Sequence, residues 1–114
     1  MRRLDQARLG SADREAVQRA AALLRERFPV ERVILFGSKA RGTGTGESDI
    51  DLLVLTRWPL NQAAKADIVE ALYDLQLELS VVLSTLVASL DEWDHGYFQV
   101  LPIHDEVERE GVLA

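Results

Sequence analysis

The chain contains no cysteine among its 114 residues. That excludes a disulfide scaffold and any thiolate-based zinc or redox site, and it fits a reducing compartment, so a cytoplasmic location is expected. Long apolar runs are missing too. None approaches the ~20 residues needed to cross a bilayer, and no membrane association is expected. Met1-Arg2-Arg3-Leu4-Asp5 leads into charged sequence rather than an apolar core, so it does not read as a signal peptide. Histidine is scarce: His95 and His104 are the only two, and no metal-ligand cluster surrounds them.

Basic charge is missing from the rear of the chain. Residues 1–41 carry ten Lys/Arg against five Asp/Glu, whereas residues 42–114 carry three against fourteen. The net charge is −6, divided as +5 in front and −11 behind. So acidic a rear argues against general nucleic-acid binding, which needs a basic footprint. The basic front either receives phosphates or is a solvated, Arg-rich helix. The acidic stretch Asp105–Glu110 reads as a solvated helix face, or as a docking surface for a basic partner.

Hydrophobic residues at 47% and charged residues at 28% are ordinary for a globular protein. The length suits one domain, expected over residues 12–114 behind a flexible leader, 1–11. It leaves no room for a separate substrate domain, so a partner is expected from another chain. A homo-oligomer is left open.

Ser11 reads as a helix cap, and Val17, Ala20, Leu24 and Phe28 follow at helical spacing up to Pro29. Val33–Phe36 reads as a buried strand and Asp49–Leu55 as a second. Gly37 to Gly46 holds four of the seven glycines and must loop, with one helical turn over Ser38–Arg41. Asn61 caps a helix that runs to about Leu79 through Ile68, Leu72 and Leu75. A third strand then covers about Val81–Ala88; the alternative places it at Leu77–Ser84. Pro102 starts a last helix that Gly111 ends. Trp58 and Trp93 are expected to close the ends of the core, with Tyr73, Tyr97 and Phe98 as packing residues. This order predicts an α/β (α+β) sandwich, one small mixed sheet with helices mainly on one face.

The informative segment runs from Phe36 to Asp51. It is no Walker A loop, because Gly42 is followed by Thr43-Gly44 rather than Lys-Ser/Thr. A dinucleotide fingerprint fails too, since Glu47 stands where its third glycine belongs. The physical reading is more specific. A strand ends at Phe36, and Gly37-Ser38 turns the chain so that backbone N–H groups and a hydroxyl can approach a phosphate. Lys39 and Arg41 add positive charge nearby. The chain returns through Ser48 into Asp49-Ile50-Asp51, whose alternation puts both carboxylates on one side, ~6–7 Å apart along the backbone. Two such acids repel and demand a cation, and oxygen ligands suit magnesium. A phosphate-binding turn beside a metal-binding acidic pair equips a site for nucleotidyl or phosphoryl transfer.

The run Gly37-Ser38, Arg41-Gly42 and Ser48-Asp49-Ile50-Asp51-Leu52 resembles the minimal nucleotidyltransferase (MNT) group of the DNA polymerase β superfamily. The likeness covers roughly residues 12–112 and is strongest over 33–56. It implies the nucleotidyltransferase fold, with Gly37, Ser38, Arg41 and Ser48 around the nucleotide and Asp49 and Asp51 as catalytic magnesium ligands. The superfamily's third carboxylate, on the third strand, maps to Ser84, an alcohol. Glu78 would serve instead if that strand began at Leu77. The resemblance further implies ATP or another triphosphate as substrate, and a small helical HEPN-type protein as toxin partner. A tyrosine of that partner would accept the nucleotide. A nucleotide-binding module with little turnover is the rival reading. An antibiotic-modifying transferase is the third, with no drug-binding part to support it.

Overall fold

In a computed structural model describing residues 1–114, the apolar periodicities become two layers against one sheet. Helix α1 (Ser11–Arg27) buries Ala16, Val17, Ala20, Ala21 and Leu24 as one stripe. Gly10, not Ser11, is its cap residue: the Gly10 carbonyl accepts the Arg14 N–H at 3.0 Å. Strand β2 (Val30–Phe36) starts just after Pro29, followed by α2 (Gly37–Arg41) and β3 (Ile50–Thr56). Helix α3 (Gln62–Leu79) is capped as expected, the Ala64 N–H donating to Asn61 Oδ1 at 2.8 Å. Strand β4 (Leu83–Ser89) leads into α4 (Leu90–His95), a 3-10 turn and α5 (Pro102–Glu110).

The leader is not loose. Arg2–Arg3 forms a strand, β1, parallel to a carboxy-terminal strand, β5 (Val112–Leu113), while Leu4 and Ala7 are buried. Two-residue strands carry no periodicity, so neither was legible in the sequence. Sheet order is β1-β5-β2-β3-β4. Strand β2 runs antiparallel to β3 and β5, and β3 runs parallel to β4, a mixed sheet as expected.

Side-chain alternation divides the core in two. Val33, Leu35, Ile50, Leu52, Val54 and Leu83 face the long helices α1 and α3. Ile34, Leu53, Leu55 and Ala88 face Trp93 of α4 and Val107 of α5 on the other side. The bulk of the helical layer thus covers one face, and three short helical pieces cover the second. Trp93 closes that second core as expected, but Trp58 is exposed, as are Tyr73 and Tyr97. No helix is long and apolar enough to cross a membrane.

Candidate active site

The antiparallel register sets Phe36 opposite Asp51, so Gly37 follows directly beside that aspartate. Gly37 has φ +76°, and a Cβ there would overlap a carboxylate oxygen of Asp51. Only glycine meets both conditions. Asp51 shares its sheet face with Leu53 and Leu55, two and four residues on. It is half-buried. Burial pushes its carboxyl above the ordinary range, the charges of Asp49 and Glu106 push it the same way, and Arg41 opposes them. Asp49 is exposed immediately before β3.

Ser84 pairs with Asp51 in the parallel register of β3 and β4. In-register neighbours project to the same face, so an alcohol stands where the third acid was sought. The alternative register is excluded, since β4 begins at Leu83. Glu78 does not replace the missing acid. It lies on α3, across the sheet from Asp51, and is ion-paired to Arg19 of α1, which holds its carboxyl below the usual range.

The glycine-rich loop folds back over α2. Gly42, at φ +77°, ends that helix, and the Thr43 and Gly44 N–H groups donate to the Ser38 carbonyl at 3.1 and 3.2 Å. Gly44 lies so close that a Cβ there would stand 3.1 Å from Ser38 Oγ. Ser48 closes the next turn, its Oγ accepting the Thr45 N–H at 2.9 Å. Lys39 is not a free cation. Buried, it reaches Asp13 Oδ2 at 2.7 Å and the Thr45 carbonyl at 2.5 Å, tying the loop to α1.

Arg41 Nη1 stands 3.4 Å from both Glu106 and Glu110 of α5. The sequence reads these glutamates as a solvated helix face or a docking surface for a basic partner. No local signal ties them to Arg41, which lies more than sixty residues away. The structure therefore gathers Gly37, Ser38, Asp49, Asp51 and Ser84. It sets Arg41 beside them under α5, uses Ser48 within the loop, and leaves Glu78 apart.

No group of three or more His, Cys, Asp or Glu side chains is placed to hold a metal ion. Two aspartates are a sound partial donor set for magnesium, which takes one or two carboxylates and completes its octahedron with phosphate oxygens and water. The residues fit a metal that arrives with a triphosphate. They do not complete a second metal site.

A glycine-serine turn leaving one strand, set against a paired-aspartate strand in a mixed sheet, is the architecture of nucleotidyltransferases. The nucleotidyltransferase domain family matches residues 17–104, and the chain belongs to that family. A Methanocaldococcus jannaschii protein provisionally named a protein adenylyltransferase is 42% identical over 41 residues, which is 36% of this chain and 41% of that protein. The match thus spans about two-fifths of the relative's length. Among solved structures, a toxin–antitoxin complex with AMP-PNP aligns at TM-score 0.61 and 22% identity, covering 84% of this chain and 69% of the other. The complex of a tri-AMPylated Shewanella oneidensis HEPN toxin with its MNT antitoxin aligns at TM-score 0.56 and 20% identity, covering 89% and 70%. These likenesses establish the fold.

Proposed function

We propose that this protein is a magnesium-dependent nucleotidyltransferase that moves AMP from ATP to an acceptor hydroxyl, a tyrosine of a small helical HEPN partner, and so acts as an antitoxin in the cytoplasm. The observation that carries this reading is the Asp51 carboxylate seated against Gly37, with Asp49 beside it. Gly37 and Ser38 would receive the phosphates, Arg41 would add charge from the far end of α2, and the aspartates would hold magnesium. Magnesium bound there would supply charge neutralisation at the triphosphate. The acceptor oxygen forms a bond to the α-phosphorus, the bond from that phosphorus to the bridging oxygen breaks, and pyrophosphate leaves with its electron pair. The acceptor proton passes to solvent. Support for AMP and for a HEPN partner comes from the solved neighbours, one holding AMP-PNP and another a tri-AMPylated HEPN toxin.

A second reading has its own observation. Ser84, in register with Asp51, leaves the acceptor side one negative charge short, which favours a nucleotide-binding module that neutralises its partner by covering it. Labelled ATP incubated with the helical protein of a neighbouring reading frame separates the two. The enzyme reading expects magnesium-dependent label on the partner, lost in Asp49→Asn and Asp51→Asn. ATP binding without transfer, converted to transfer by Ser84→Asp, would establish the binding module. If wild type neither binds ATP nor transfers label, both readings fall.

A further inference from the structure

Glu106 and Glu110 are poorly placed by local rules. Four residues apart on α5, they share a face and repel one another. Glu110 is also the last residue of that helix, where the macrodipole disfavours a negative charge. Arg41 offsets both effects, standing 3.4 Å from each carboxylate. These contacts are long, since optimised charge-assisted bonds close to ~2.7–2.9 Å. The three side chains are 39%, 37% and 32% exposed, and pairs so exposed add little to stability. Their geometry is more informative than their strength. Both acids reach the same nitrogen, Nη1, so the guanidinium's other donors, on Nη2 and Nε, make no hydrogen bond within the protein.

Helix α5 covers the sheet face to which Asp51 belongs. Its Val107 packs in one core with Leu53 and Leu55, two and four residues after that aspartate. Ser38 and Arg41, three apart on α2, share a side of that turn. The charge of Arg41 is felt at Asp51, where it opposes Asp49 and Glu106. We propose that Glu106 and Glu110 are positioning residues that hold Arg41 by one nitrogen and present its remaining edge to the triphosphate. This rests on the reading above, in which Arg41 meets the phosphates. Arginine suits the double duty because its planar fork spreads its donors over several nitrogens. A lysine has a single nitrogen and must leave the glutamates to reach a phosphate. Held in advance, the guanidinium loses little further rotamer freedom when the nucleotide arrives.

Calorimetric titration with ATP and magnesium tests this without turnover. Arg41→Gln should weaken ATP binding, which checks the underlying reading. Glu106→Gln combined with Glu110→Gln removes two negative charges beside a polyanion, so Coulomb's law alone predicts tighter binding. Positioning predicts the reverse, a loss of roughly threefold to tenfold. The same pair of changes in an Arg41→Lys chain should tighten ATP binding, because there the glutamates detain the only nitrogen. A general loosening of α5 would weaken binding in both chains, so the opposite signs separate positioning from a structural role. If Arg41→Gln leaves ATP affinity unchanged, Arg41 is not at the nucleotide, and that reading and this proposal fall together, as they do if wild type binds no ATP. If Arg41→Gln weakens ATP binding but the glutamine pair tightens it or leaves it unchanged, Arg41 stands as a phosphate ligand and the positioning role is overturned. Anything but tightening in the lysine chain overturns it as well.

Discussion

Gly37 is where backbone and chemistry constrain one another most tightly. A left-handed residue other than glycine costs about 1–2 kcal/mol, and here a Cβ would also displace the Asp51 carboxylate. Gly37→Val should lower the melting temperature by at least several degrees, at ~4–8 °C per kcal/mol for a domain near this size, and abolish ATP binding in calorimetry. Normal ATP affinity would place the phosphates elsewhere. Asp51 pulls in the opposite direction. Its carboxyl is raised in the folded chain, mainly by burial, so ionising it opposes folding. Below its ordinary value of 3.8 both states hold the proton and there is no cost. The cost grows as pH rises through that value and is complete above the folded one. In chelator, Asp51→Asn should therefore melt higher than wild type at pH 7, with the advantage shrinking as pH falls toward 3.8. The same variant should lose magnesium-dependent ATP binding. A variant that melts lower at neutral pH would show that the aspartate is held by partners instead.

Among the elements, those closed by short connections were legible. The turn at Gly37-Ser38 and the aspartates at 49 and 51 belong to consecutive antiparallel strands, so their meeting follows from the hairpin-like return alone. Asn61 and the Ile68–Leu79 periodicity placed α3 for the same local reason. What long-range packing decides was not legible. Lys39 reads in the sequence as positive charge near the phosphate turn, yet it pairs with Asp13, 26 residues earlier. Glu106 and Glu110 read as a solvated face or a docking surface, yet they hold Arg41. Strand β5 is fixed by its pairing with β2, and β1 by its pairing with β5, partners far away along the chain. The Lys39 tether gives a prediction for the loop. Removing one partner of a buried ion pair costs ~3–5 kcal/mol, and Asp13 keeps 20% of its side chain exposed, so Lys39→Met should cost about 2–3 kcal/mol in urea unfolding. It should also release the loop after Gly42, read as faster proteolysis there. Unchanged stability and cleavage would mean that the loop is held by the Ser38 carbonyl alone.

Across the whole molecule, two cores share one sheet. Strand β3 supplies Leu52 and Val54 to the larger core and Leu53 and Leu55 to the smaller, each buried. Losing either helical layer would bare alternate residues of the same strand to water, at about 1.5–3 kcal/mol per large apolar side chain. The radius of gyration, 13.3 Å, equals that of a compact chain of this length, about 13 Å, so no part stands off from the sheet. Arg41 adds a link between the α2 turn and α5. These connections predict one cooperative unfolding unit. Trp93 is buried in the smaller core while Trp58 is already exposed, so the fluorescence change reports chiefly the α4–α5 layer. Far-UV circular dichroism is weighted towards α1 and α3, the long helices over the larger core. The two urea transitions should coincide, and ATP with magnesium should move both midpoints together, because a ligand bound only by the folded chain stabilises all of it. A fluorescence transition at lower urea would show that the α4–α5 layer opens by itself. Asp51 would then sit on a face that uncovers before the fold is lost, and ligand would stabilise the fluorescence transition alone.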